Sequence, residues 1–181
     1  PQPEERLRDF ISRIIPPSAV DLEIEKGNNL LTSEEWAGAE VVFRQALESK
    51  PESTAAQLGL AKALIATGQG QEALQWLSDL PASRELDSAE RLLPLARALL
   101  QLQEKLLPNE NNLDAAFANS IRLVGLGNLE AALDGLLDIL RQDKHYRGRL
   151  AQEAVLGILE IMGNDNPQTR DYRVELSTIL F

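Results

Sequence analysis

The side chains with the clearest chemical potential are basic and lie toward the C-terminal end of the chain. His145, the only histidine, stands among Arg141, Lys144, Arg147 and Arg149. Catalysis by a triad or a bound metal would need a second histidine, a cysteine or an organised pair of acids beside it, and the sequence offers none of these. The cluster has two interpretations: cations that complement the negative end of a helix, or a docking patch for an acidic partner.

Paired acids and tryptophans are weaker candidates. Glu34 and Glu35 could form an acid–base pair, but neighbours on a helix or a turn point in different directions, so we expect a solvated surface. Trp36 and Trp76 could stack on a ligand, although packing within or between repeats is the favoured interpretation. Because the chain has no cysteine, disulfides and thiol catalysis are excluded within it. The sequence predicts no enzyme activity and no cofactor.

Composition favours a helical chain and argues against binding to nucleic acid or membrane. The 181 residues are 44% apolar but only 4% aromatic, a balance that suits helix packing better than sheets. The formal net charge of −10 gives an acidic body, which lacks the positive field that nucleic-acid binding needs. No apolar run approaches the roughly 18 residues of a membrane span. We predict a cytoplasmic protein that binds neither nucleic acid nor membrane.

The elements that must position these side chains are helical hairpins. Gly27, Ala39, Phe43, Ala46 and Pro51 have the spacing of the small and large positions in one tetratricopeptide (TPR) hairpin of about 34 residues. Two antiparallel helices approach closely only where a side chain is small, and a large side chain nearby then fills the gap. A proline just beyond the second helix ends that helix.

The same pattern recurs along the chain. Leu64, Ala73 and Leu77 each follow an earlier pattern position by the length of one repeat. The other residues predicted to pack the repeats are Leu30, Trp36, Gly127, Ala132 and Leu136. Each hairpin leaves an apolar face open until a neighbour covers it, so the units must stack. The predicted fold is an all-α, TPR-like α-solenoid of antiparallel helix hairpins, with about ten helices.

The repeats lose their register in the middle of the chain. We predict a linker helix over 1–17, repeats over about 20–53, 54–87 and 113–146, and closing helices over 147–181. The unassigned residues 88–112 indicate an extra or missing helix. Pro94 lies there, and it would either kink its helix or move the start of that helix closer to itself.

Several segments together resemble a known family. They are the Gly27 repeat, the irregular middle, the run from Gly127 to Leu133, and a closing helix with Tyr172 to Leu176 and terminal Ile179, Leu180 and Phe181. They resemble, over nearly the whole chain, the C-terminal region of bacterial thioredoxin-like TPR proteins of the YbbN or chaperedoxin type. The resemblance implies the protein-binding half of a co-chaperone that holds unfolding clients and works with a GroEL-type chaperonin. Since the chain begins at Pro1 without an initiator methionine, we expect the thioredoxin domain of that family to precede it.

The closing helix carries most of the residues predicted to bind a partner. Tyr172, Leu176 and Leu180 form an i, i+4 row, whereas terminal solenoid helices usually turn a polar face outward. The row either packs on the preceding helix or anchors a partner, and both hold if only part of it is buried. The predicted partner-binding residues are Tyr172, Arg173, Leu176, Ile179, Leu180, Phe181, Arg147 and Arg149.

A carboxylate clamp for acidic tails of the EEVD type is not expected. Such a clamp uses lysine, asparagine and arginine on the inner helices, and Asn28 is present, but Ile24 stands where the partner lysine would lie. Gly59 and Lys62 of the second repeat do not complete a converging cationic fork. The alternative function is a generic TPR scaffold that assembles a complex unrelated to protein folding.

Overall fold

The computed structural model describes residues 18–181, which fold as nine α-helices without a strand in that range. The helices are α1 Ala19–Thr32, α2 Trp36–Ser49, α3 Thr54–Ala66, α4 Gly70–Ser78, α5 Leu86–Gln103, α6 Asn112–Val124, α7 Leu129–Gln142, α8 Leu150–Met162 and α9 Pro167–Leu180. A short 3-10 turn, Tyr146–Arg149, precedes α8. The predicted all-α solenoid is confirmed, while the predicted linker helix over 1–17 lies outside the described residues.

Helices α1 to α5 stack in the order of the chain. Each of them packs on the next, and α3 also contacts both α1 and α5, as in a stack of antiparallel hairpins. Helix α5 stands where the first helix of a third hairpin would be, but its main partners are α4 and α8. Helix α5 thus lies between the α3–α4 and α6–α7 hairpins, in the stretch where the sequence loses the repeat register.

Phe43 of α2 is wedged between α1 and α3. A Cβ atom added to Gly27 of α1 would lie 2.6 Å from the Phe43 ring, and one added to Gly59 of α3 would lie 2.3 Å from it. Any side chain at either glycine would overlap the ring, so two glycines and one phenylalanine together set the distance between three helices. Ala39 and Ala46, on the same helix as the ring, are fully buried.

The other predicted packing residues are mostly interior. Leu64, Ala73, Leu77, Gly127, Ala132 and Leu136 are buried, Leu30 and Trp36 are half-buried, and Pro51 is exposed in the turn after α2. Trp36 packs between repeats: Gly127, in the α6–α7 turn with φ of 74°, approaches so closely that its Cβ would lie 2.4 Å from Trp36 Nε1. That turn also meets the α3–α4 turn, where Gly125 faces Gly68.

Pro94 lies inside α5, which begins at Leu86. The alternative that the helix starts closer to the proline is therefore wrong. Pro94 has no N–H to donate, so the carbonyl of Glu90 lacks its usual partner within the helix. Packing of α5 on α4 and α8, with Leu92, Leu95 and Leu99 buried, compensates for that loss.

Helix α8 is covered on most of its circumference. Its buried residues are Ala151, Ala154, Val155, Gly157, Ile158, Leu159 and Ile161. It packs mainly on α5 and α7 and also contacts α1. Gly157 allows the close approach to α5, since its Cβ would lie 3.1 Å from the carbonyl oxygen of Arg91. A helix that is apolar on nearly all sides needs several neighbours, and α8 joins the two halves of the solenoid.

Candidate protein-binding site

A groove of about 560 Å³ lies between the second halves of α8 and α9. Its apolar wall consists of Leu156, Leu159, Leu176, Leu180 and Phe181, and its polar residues are Arg91, Glu160, Asn164, Arg173 and Ser177. Phe181 is fully exposed and Leu156 is 37% exposed. A smaller groove of about 320 Å³ continues along α5 and shares Arg91 and Leu156 with the first. The α8–α9 groove therefore presents exposed apolar surface beside charged groups.

The segment between α8 and α9 sets the angle between the two walls. Gly163, with φ of 80°, ends α8 in a conformation that glycine adopts without strain. Asn166 then caps α9, its side chain accepting from the backbone N of Gln168 at 2.9 Å. Pro167 occupies the first turn of α9, where its fixed φ suits the helix and its missing N–H is not needed.

Few contacts hold α9 on the rest of the solenoid. Among its residues only Thr169 and Leu176 are buried. Tyr172 is half-buried, and its hydroxyl donates to Asp134 Oδ1 of α7 at 3.0 Å. Burial and this hydrogen bond raise the pKa of Tyr172 to about 12. A helix with so little buried surface is expected to be less stable locally than the interior helices.

The structure divides the predicted row on α9 between packing and exposure. Leu176 is buried, while Tyr172, Ile179 and Leu180 are half-buried against α7 and α8. Phe181 extends beyond the helix into solvent. Tyr172 and Leu176 pack on the preceding helices, and Leu176 and Leu180 also line the α8–α9 groove.

Glu160 forms the polar floor of the groove. Lys62 of α3 donates to the main-chain oxygen of Glu160 at 2.7 Å and to Oε1 at 3.2 Å, and Arg91 donates to Oε2 at 3.1 Å. Burial acts to raise the pKa of Glu160, but the Lys62 ammonium and hydrogen bonds from Ser88, Lys62 and Arg91 outweigh it and lower the pKa. The carboxylate is thus ionised and already paired. Lys62, being bonded to α8, is also poorly placed to clamp a peptide carboxylate.

Arg173 stands at the rim of the groove with a neutral partner. Its Nη2 donates to Asn164 Oδ1 at 2.7 Å. Within residues 18–181, no carboxylate lies within 4 Å of its guanidinium. A guanidinium has five N–H donors, so most of them face solvent here.

Arg147, predicted to bind a partner, is instead bonded within its own chain. Its Nη2 donates to Asp114 Oδ2 at 2.8 Å and to Glu110 Oε2 at 2.6 Å, and its Nε donates to Asp114 Oδ1 at 3.2 Å. The hydroxyl of Tyr146 donates to the same Asp114 Oδ1 at 2.7 Å. Arg147 has φ of 47°, in the left-handed region that non-glycine residues rarely adopt, within the turn before α8.

The environment of Asp114 strongly favours its charged form. Its side chain is fully buried, and hydrogen bonds from Arg147, together with those from Tyr146 and the backbone of Glu110, hold its pKa well below the usual value. Burial and the bond to Asp114 raise the pKa of Tyr146. This cluster ties the start of α6 to the turn before α8 and is a structural lock.

The rest of the basic cluster lies away from the groove. Arg149 is exposed, and its Nε donates to Gln152 at 3.0 Å. Arg141, in the last turn of α7, pairs with Asp138 and with Glu175 of α9. Neither arginine lines the α8–α9 groove. The structure therefore brings Arg173, Leu176, Leu180 and Phe181 together and separates them from Arg147 and Arg149.

Six of the ten groove residues were not predicted from the sequence: Arg91, Leu156, Leu159, Glu160, Asn164 and Ser177. Four of them come from α5 and α8, which meet although they are distant in the chain. The one local signal was the near-continuous apolar character of α8, which indicates a helix covered on several sides. Leu156 interrupts that covering as an exposed residue.

Residues 18–181 contain no group of three or more His, Asp or Glu side chains arranged to hold a metal ion. Over the same residues, every helix is too short or too polar to cross a lipid bilayer. The stacked helices of the described residues present surfaces and grooves of the kind with which helical solenoids bind other proteins.

This arrangement of stacked helix hairpins defines the class of protein as an α-solenoid. Two family models, both described as tetratricopeptide repeat, match residues 30–93 and 95–181. The chain is also similar to a Haemophilus influenzae protein described as uncharacterized, with 27% identity over 179 residues, covering 93% of this chain and 82% of the relative. The described region is a TPR-like α-solenoid, a class that mediates protein–protein interaction and consists in general of scaffolds without catalytic activity.

Proposed function

We propose that this chain is the protein-binding region of a thioredoxin-fused co-chaperone of the YbbN type and that its α8–α9 groove receives apolar segments of unfolding clients or of a chaperonin. The observation that supports this role is the groove itself. Leu156 and Phe181 expose apolar surface there, beside the weakly held helix α9. Clusters of exposed apolar side chains rimmed by polar groups are typical of interaction sites.

The mechanism is docking without turnover. A groove of this size accommodates about two or three side chains, and we expect so small a contact to bind weakly and to exchange rapidly. Such binding suits a holdase, which must release its client to the folding machinery. The net charge of −10 would keep the loaded complex in solution by repulsion between copies.

The alternative function is a generic TPR scaffold that assembles folded partners. The two functions differ in whether unfolded proteins are recognised. The repeat packing supports both equally, because TPR hairpins occur in each kind of protein. The exposed apolar groove favours the co-chaperone, since unfolded chains share apolar segments rather than a folded surface.

Light scattering from a heat-unfolded test protein distinguishes these functions. We expect the full chain, at about equimolar concentration, to reduce the scattering by at least about half, because docking of apolar segments competes with aggregation. A folded helical protein of similar net charge serves as the control and should have little effect. Scattering that is the same with the chain as with the control would contradict the holdase and favour the scaffold.

A further inference from the structure

We propose that the α8–α9 groove selects partner segments in which a large apolar side chain stands next to a carboxylate. This inference rests on the proposed function, since it names the chemistry of the segments that the groove would hold. The partner is a protein segment in an accessible, unfolded or terminal stretch. Its apolar side chain contacts Leu156, Leu180 and Phe181, and its carboxylate lies at the basic rim.

The charges of the groove carry the proposal. Arg91 and Arg173 both line it, and Glu160 is its one acidic residue. Glu160 is already paired with Lys62 below and with Arg91 beside it, so its negative charge is more than balanced. The groove is therefore locally basic within a chain whose net charge is −10. A carboxylate entering it would meet two guanidinium groups with remaining donors.

The charges at the two ends of the surface set the orientation of a bound segment. The smaller groove along α5 is lined by Asp87, Glu90 and Glu153, and it joins the first at Arg91 and Leu156. One end of the joined surface is thus acidic and the other basic, with exposed apolar side chains between them. A carboxylate is repelled from the acidic end and attracted to the Arg173 end. A lysine in its place would be repelled by Arg91 and Arg173.

Two neutral polar side chains lie beside the basic rim. Ser177 and Asn164 line the groove beside Arg173. Asn164 accepts from Arg173, which fixes the guanidinium at the rim before any ligand arrives. A preorganised guanidinium loses less side-chain freedom on binding a carboxylate, which favours recognition of that group.

Fluorescence anisotropy with two labelled peptides of equal length tests the proposal. Both carry leucine and phenylalanine in the same positions, with two aspartates in one peptide and two lysines in the other. We expect the full chain to bind the aspartate peptide at least about tenfold more tightly at low salt. We also expect this preference to shrink as sodium chloride is raised, because an exposed rim is screened. Equal affinities, or tighter binding of the lysine peptide, would overturn the proposal.

A matched pair of variants assigns the preference to the groove. Arg173→Gln should weaken binding of the aspartate peptide about fivefold and leave the lysine peptide unchanged or bound more tightly. Arg170→Gln removes an exposed arginine of the same helix that does not line the groove, and we expect no change. Equal effects of the two variants would overturn the assignment. If the chain holds an unfolded client but does not prefer the aspartate peptide, this inference fails alone; if it holds no client either, the proposed function fails too.

Discussion

Replacing Phe43 with alanine lowers the free energy of unfolding by about 3 to 5 kcal/mol. The ring is completely buried and lies between glycines of two other helices, so no neighbouring side chain can move in to fill the space. The cavity left behind would remove the contacts that the ring makes with α1 and with α3. Urea unfolding followed by circular dichroism measures the loss.

Val41→Ala is the matched control for that change. Val41 lies on the same helix but is 56% exposed, so its truncation should change the free energy of unfolding by less than about 0.5 kcal/mol.

Gly59→Ala tests the contact between the Phe43 ring and α3. Its methyl group would overlap the Phe43 ring, and we expect a loss of about 1 to 3 kcal/mol although alanine is the better helix former. A stabilised Gly59→Ala chain would show that the ring is not wedged.

Replacing Asp114 with asparagine lowers the Tm at pH 7 by about 5 to 10 °C. The variant retains the size of the side chain but loses the charge that Arg147 and Tyr146 are arranged to meet. Arg147 would then keep only the exposed Glu110 as an ionic partner. Differential scanning calorimetry measures the change, and an unaltered Tm would contradict the lock between α6 and the turn before α8.

The pH dependence of the Tm of wild type and of Asp114→Asn gives an independent check. The pKa of Asp114 is lower in the folded chain than its usual value of 3.8, so the unfolded chain takes up the proton first. The contribution of Asp114 to stability is therefore complete above that value and is lost as the pH falls below it. The difference in Tm between wild type and Asp114→Asn should accordingly shrink from pH 6 toward about pH 3. A difference that grows on acidification would contradict this assignment.

The repeat pattern could be predicted because it depends on neighbours within one hairpin. The small residues Gly27 and Ala39 and the large Phe43 lie on adjacent helices, so their spacing in the sequence reports their contact in space. The contact of Gly59 with the same ring could not be predicted, because Gly59 lies in the next hairpin and no local pattern links it to Phe43. The helical class followed from the same local regularities.

The groove and the lock could not be predicted, because both depend on contacts between distant segments. Arg147 belongs to a basic run that suggests a surface patch, and only the fold shows that it lies against Asp114. Helix α5 was recognised as a break in register, but its pairing with α8 follows from packing along the whole solenoid. The groove that results joins Arg91 with Arg173, which no spacing in the sequence could indicate.

Binding of an unfolded client to groove variants tests the central claim most directly. A permanently unfolded protein, immobilised for biolayer interferometry, is exposed to the wild-type chain and to two double variants. Leu156→Ser with Phe181→Ser removes exposed apolar side chains that line the α8–α9 groove. Val41→Ser with Val174→Ser removes a comparable exposed pair outside it.

Val41, Val174 and Phe181 are mostly exposed and Leu156 is 37% exposed, so circular dichroism first verifies that both double variants melt close to the wild type. We expect the groove variant to bind the client at least about tenfold more weakly and the control variant to bind like the wild type. Client binding by the groove variant that equals that of the control would contradict the claim that the α8–α9 groove is the protein-binding site.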